Sequence, residues 1–225
     1  MIAHRSFRNR LTASVLGVAV VGLMAACTPA PSPVQAFPDG PTVAFYGDSY
    51  TLGTGASDPS KRWSSLISTE RGWNEVNPSV NGLGFINNRS GAPGTGLVRQ
   101  VIDAKPDIVM VTMGLNDNFS MPGQADAIEA AITTDLDTLK AALPEARFIV
   151  VEPFWYTDER PGSVATIIGW VKDAAEGIEA DYISDASYWI HGHPEWMAAD
   201  GLHPNDDGYA AMAVRMDADL TALGL

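Results

Sequence analysis

Cysteine is almost absent from this 225-residue chain. Cys27 stands alone, so no disulfide can close within it. Bases are scarce too: 14 Lys and Arg face 27 Asp and Glu, for a net charge of −13. So acidic a surface repels phosphate backbones and makes nucleic acid a poor partner. Histidine is rarer still, with only His4, His191, His193 and His203. No further cysteine is available to complete a Cys/His cluster of the structural zinc type. The remainder, 46% hydrophobic and 18% charged at a mean hydropathy of zero, has the profile of one globular domain with a sizeable core.

The first 26 residues are of another kind. His4, Arg5, Arg8 and Arg10 make a basic start, and Leu11 to Ala26 is apolar without a charge. This is the pattern of a secretory signal, and the run is shorter than the roughly 20 residues of a membrane span. It closes in Leu23-Met24-Ala25-Ala26-Cys27, which resembles a bacterial lipobox, with Met24 where leucine is usual. That resemblance implies acylation of Cys27 and an extracytoplasmic protein lipid-anchored to the cell envelope. Residues 28–41 hold five prolines in fourteen positions and read as a tether, which places the start of the domain near Thr42.

Within residues 42–225, apolar runs suited to buried strands alternate with segments of helical spacing. Strands are expected over 41–46, weakly over 75–80, over 107–113 and 147–151, and briefly at 182–183. Helices are expected over 59–71, 96–104, 124–143, 163–178 and 205–223, with Ser163 and Asn205 as caps. This alternation implies a three-layer α/β/α sandwich around a parallel sheet of about five strands, with chemistry at the carboxyl ends of the strands.

Unusual residues lie at those ends. Gly47-Asp48-Ser49-Tyr50 follows the first strand, Asn77-Pro78-Ser79-Val80-Asn81-Gly82 the second, and Gly114-Leu115-Asn116-Asp117 the strongest. Asp200-Gly201-Leu202-His203-Pro204 precedes the last helix. Each block alone is a common turn sequence. Together and in this order they resemble the four blocks of the SGNH (GDSL-like) hydrolase family, over the whole domain. The resemblance implies Ser49 as nucleophile, His203 as base and Asp200 as its orienting acid. It also implies an oxyanion hole made by the Ser49 and Gly82 N–H groups and the Asn116 amide. Gly84 competes with Gly82, which is preferred for its spacing from Val76-Asn77. Asp48 and Asp117 are expected to bond the backbone of neighbouring loops.

The residue types suit the chemistry. A serine hydroxyl needs a base to take its proton, and that base needs a carboxylate to fix its tautomer. A tetrahedral intermediate needs donors aimed at its oxygen. No Gly-x-Ser-x-Gly elbow surrounds Ser49, which disfavours the general α/β-hydrolase fold. The expected activity is hydrolysis of a small-molecule or glycan ester, with no metal or organic cofactor and with a membrane touched only through the lipid. Short acyl chains, acetyl foremost, on a carbohydrate or similar polar alcohol are the expected substrate. Two alternatives use the same residues: an acyltransferase sharing the acyl-enzyme, and a glycan-binding lipoprotein without catalysis. His191 and His193, with Asp200 and His203, also compose a conceivable metal set. Trp155, Tyr156, Trp189 and Trp196 lie near the site in sequence, as core or as rim.

Overall fold

The computed structural model describes residues 36–91 and 94–225. The signal-like segment, Cys27 and the first part of the tether fall outside these residues. Five parallel strands form one sheet: β1 (Thr42–Gly47), β2 (Asn74–Val76), β3 (Ile108–Thr112), β4 (Arg147–Val151) and β5 (Asp181–Ile183), in the order β2-β1-β3-β4-β5. The order reverses between β1 and β3, and in sheets of this type the reversal opens a crevice at the carboxyl ends.

Alternation along the strands splits the core in two. Val43 and Phe45 of β1, Met110 of β3 and Ile149 of β4 face a cluster with Trp63 and Ile67 of α2 (Trp63–Arg71). Tyr209, Met212 and Met216 of α6 (Asp206–Ala222) complete that cluster. Ala44, Tyr46, Val109, Val111 and Phe148 face the opposite layer. That layer comprises α3 (Leu97–Ala104), α4 (Ala125–Ala142) and α5 (Gly162–Gly177). Both faces are covered, which is why β3 reads as a continuous apolar run. Three layers and a parallel five-stranded sheet are the α/β/α architecture expected above.

Several boundaries differ from the sequence reading. The domain is under way before Thr42, because the Phe37–Gly40 turn is tied to Asn74: Phe37 N–H donates to Asn74 Oδ1, and Asn74 Nδ2 donates to the Phe37 and Gly40 carbonyls. The second strand ends at Val76 instead of Val80. Pro78 has no N–H to give a ladder, and Asn77 turns its side chain inward, donating to Thr51 O at 2.7 Å and Ser64 Oγ at 3.0 Å. The 59–71 helix is a 3-10 turn at Pro59–Lys61 followed by α2. Ser163 does not cap its helix. It lies inside α5, and its hydroxyl bonds Asn118 Oδ1 at 2.6 Å. Asn205 does cap α6, accepting from Gly208 N–H at 3.0 Å.

Candidate active site

Ser49 opens a one-turn helix, α1 (Ser49–Leu52), directly after β1. Asp48 caps it by accepting the Tyr50 N–H at 3.0 Å, and Gly53 ends it in the left-handed region. The turn therefore projects Ser49 from the carboxyl end of a central strand. Ser49 is 5% exposed, and neither its hydroxyl nor its N–H bonds a protein group among the described residues.

Two segments distant in sequence are drawn to this turn. The first carries the histidine. His203 Nδ1 lies 2.7 Å from Asp200 Oδ2, and Asp200 Oδ1 accepts the Leu202 and His203 N–H groups. These contacts, the His203 side-chain bond foremost, hold the Asp200 carboxyl down at about 2. The Asp–His turn is fixed to the serine turn by neighbours of the reacting residues. Tyr50 O–H donates to Leu202 O at 2.6 Å, and the Tyr50 and His203 rings lie 6.0 Å apart. Tyr209 O–H reaches Thr54 O at 2.7 Å. Asp206 clasps the loop beyond α1, accepting from Ser57 N–H and Oγ–H and from Lys61 Nζ at 2.8 Å. Lys61 and Ser57 thereby hold the Asp206 carboxyl down at about 2.

The second segment carries Gly82, the expected backbone donor. After β2 the chain returns to the end of β1, with Val80 N–H on Gly47 O at 3.3 Å, and turns through Gly82 at φ +68°. The Gly82 N–H donates to no protein group among the described residues, whereas the Gly84 N–H is spent on Asn87 O at 2.9 Å. Gly84 is needed for another reason: a Cβ there would sit 2.6 Å from the Asp117 carboxylate. That carboxylate accepts the Phe85 and Ile86 N–H groups at 2.7 and 2.9 Å, with Asn87 N–H at 3.3 Å. Asp117 is thus the loop-bonding residue expected, and Asp48 bonds backbone in its own turn.

Asn116, which opens a 3-10 turn (Asn116–Ser120) four residues beyond β3, is 7% exposed, and its Nδ2 donates to Asp48 Oδ2 at 3.2 Å and Leu83 O at 3.0 Å. Both amide protons thus have acceptors in this structure. Burial pushes the Asp48 carboxyl up to about 7. Burial likewise raises Asp117, against the pull of its N–H donors.

Sequence reasoning overlooked one part of this assembly. Asp135 of α4 is fully buried and accepts from Tyr46 O–H, both terminal nitrogens of Arg89, and Gly94 N–H at 2.9 Å. Arg89 also donates to Phe85 O at 2.8 Å. Asp135 therefore anchors the far end of the loop that begins at Gly82. A signal was present, since Asp135 falls on the apolar stripe of Ile128, Ala131, Ile132, Leu136 and Leu139, where a carboxylate needs partners.

His191 and His193 stand apart from His203. His191 faces Asp158 at 3.4 Å and His193 faces Glu195 at 2.8 Å. Among the described residues no three His, Cys, Asp or Glu side chains are grouped to hold a metal. Of the four aromatics, Trp155 and Trp189 are core, while Tyr156 and Trp196 are only partly buried.

A serine turn, an Asp–His turn and the Gly82 loop come together beyond β1, an arrangement whose groups suit serine-hydrolase chemistry. The chain belongs to the GDSL-like lipase/acylhydrolase family, whose pattern matches residues 45–211, and it is a serine hydrolase of ester bonds. It is 29% identical over 188 residues to the GDSL lipase Rv0518 of Mycobacterium tuberculosis, covering 76% of this chain and 78% of that one. In fold it is similar to the psychrotrophic esterase EstA of a Pseudoalteromonas species, with TM-score 0.61 and 17% identity over 81% of this chain and 98% of that one. It is also similar in fold to a family two carbohydrate esterase from Cellvibrio japonicus, with TM-score 0.63 and 20% identity over 85% and 62% of the two chains.

Proposed function

We propose that this hydrolase works outside the cytoplasmic membrane, anchored by lipid on Cys27, and cleaves short-acyl esters of polar alcohols through an acyl group on Ser49. The observation that carries the site assignment is the 2.7 Å His203–Asp200 bond on a turn that is itself bonded to the serine helix through Tyr50 and Leu202. His203 Nε2 and Ser49 Oγ bond no protein group among the described residues, which leaves both uncommitted for proton transfer and substrate.

The steps follow from that arrangement. Ser49 Oγ bonds to the acyl carbon while its proton passes to His203 Nε2, and Asp200 steadies the resulting imidazolium. The carbonyl oxygen becomes an oxyanion against the Ser49 and Gly82 N–H groups and the Asn116 amide. An anionic oxygen is a stronger acceptor than the neutral Leu83 carbonyl, so it draws an Asn116 proton away. The C–O ester bond then breaks, and the alcohol leaves with the proton from His203. Water repeats the sequence: it gives a proton to His203, bonds to the acyl carbon and releases the acid, and the proton returns to Ser49 Oγ.

Two further observations support the finer reading. The basic start and apolar run ending at the single cysteine support export and anchoring. The cavity beside the Gly82 loop, walled by Val80, Leu83, Leu97 and the polar Asn88, Arg89 and Gln100, measures only about 160 Å³, and a space that small favours a short acyl chain over a long one on this side. A fluorophosphonate probe should label wild type and spare Ser49→Ala. In a p-nitrophenyl ester series, kcat/KM should be highest near acetate; a steady rise toward palmitate overturns the short-acyl reading. Labelling of cells with a fatty-acid analogue should be lost in Cys27→Ala; equal labelling overturns the anchor.

A further inference from the structure

A second cavity, of about 480 Å³, lies between the segment after β4 and the segment leading to α6. Its walls include Tyr156, Asp158, Ile190, His193, Met197 and Gly201. It shares a wall with the acid–base turn: Gly201 follows Asp200, Ala198 N–H donates to His203 O at 2.8 Å, and Met197 bridges to Pro204. We infer that this cavity is the subsite for the alcohol half of the ester, and that it takes a neutral, sugar-like polyol. The inference rests on the proposed serine mechanism.

The direction of proton transfer fixes the side. His203 delivers its proton to the departing oxygen, so the alcohol must leave past His203, away from the Gly82 loop where the carbonyl oxygen points. The volume falls in the range of about 300–1,000 Å³ typical of small-molecule sites and exceeds the cavity on the Gly82 side threefold. The larger part of the substrate therefore belongs on the histidine side.

The lining gives the chemical class. Ile190, Met197 and the Tyr156 ring offer apolar surface. Among the described residues, Tyr156 O–H, Asp158 Oδ2 and His193 Nε2 each lack a protein partner. These groups are held in place. His193 stacks on Trp196 at 3.6 Å and 11°, with its Nδ1 on Glu195, and Asp158 Oδ1 accepts the Gly192 N–H at 2.8 Å. Apolar surface beside fixed donors and acceptors matches a sugar ring, which has C–H faces and a hydroxyl edge. Charge narrows the class further. Asp158 lines the cavity, and Glu195 and Asp200 adjoin its lining residues in sequence, so a phosphate or uronate there would meet the Asp158 carboxylate in an acidic neighbourhood.

The test compares three acetate esters: ethyl acetate, too small to fill the cavity, an O-acetylated neutral disaccharide, and the matching acetylated uronate. Wild type should favour the neutral sugar ester over ethyl acetate in kcat/KM, and over the uronate by roughly tenfold or more. Tyr156→Phe should lower the sugar-to-ethyl ratio severalfold. Asp158→Asn, which keeps the Gly192 contact, should lower that ratio and also shrink the neutral-to-uronate preference, a charge-specific change that general damage does not give. Ratios equal to wild type in both variants overturn the subsite. A wild-type protein that turns over none of the three and resists the fluorophosphonate overturns the serine mechanism instead.

Discussion

Asp117 serves the loop through Gly82 and Asp200 serves the histidine turn, the two flanks of the proposed reacting centre. Asp117 is fully buried beneath three backbone N–H groups, while the side chain of Asp200 is 48% exposed and bonds one histidine and its own turn. The contrast extends outward. On the proposed oxyanion side, buried Asp117 and Asp135 fix a loop without regular structure, and buried Asp48 holds the serine turn and the Asn116 amide. The histidine side is a surface turn pinned by Tyr50, Tyr209 and the Asp206 clasp. Donors that must meet a developing charge gain from being immobile and dry. A base that carries protons between serine, alcohol and water must be reachable by all three.

The first way to probe this contrast is to remove what both sides serve. Ser49→Ala and His203→Ala should each cut kcat by about 10⁴-fold or more, because triad members act as a unit. Steady-state kinetics with circular dichroism as a folding control decides it, and substantial residual turnover in either variant places the chemistry elsewhere. His191→Ala should be mild by comparison.

Asp135→Ala attacks the buried side. It strands Arg89 and should cost about 3–5 kcal/mol of stability in urea unfolding, as breaking a buried ion pair does. A loss near zero means that Asp135 does not anchor the loop. Asn116→Ala should cost about 2.7–4 kcal/mol in kcat with little change in KM. If KM absorbs the loss instead, Asn116 binds ground-state substrate and the oxyanion role moves.

Titration separates the sides by sign. Folded Asp48 lies at about 7 against an ordinary 3.8. The folded chain therefore holds a proton that the unfolded chain releases, and stability falls as pH rises from about 4 to about 7. Asp206, held down at about 2, does the reverse: its contribution is present above its ordinary range and is lost as pH falls toward 2. Melting temperatures across this window should decline less steeply in Asp48→Asn, and an unchanged slope sinks the assignment. The smallest effect belongs to the exposed clasp. Lys61→Ala should leave the urea midpoint almost unmoved, since exposed ion pairs contribute little. A shift rivalling that of Asp135→Ala would erase the contrast between the two sides.

The sequence by itself determined the layers and pointed to the reacting types. Apolar runs of strand length alternating with helical stripes have one economical burial, a covered parallel sheet, and β4 falls at the expected residues, 147–151. The proposed site residues Ser49, Asn116, Asp200 and His203 each sit in a short local block, which is what a sequence can offer. Local pattern preferred Gly82 over Gly84, and two tertiary observations favour the same choice: the Gly84 N–H is taken by Asn87 and its missing Cβ makes room for Asp117. Only the folded chain decided that Tyr46, Arg89 and Asp135, from a strand, a loop and a helix, share one buried network. The same holds for Tyr50 and Leu202, 152 residues apart, which bond to bring serine and histidine turns together. Local sequence sets the turn and helix that present a side chain. Which distant group meets it depends on strand order and layer packing, which no short stretch of sequence encodes.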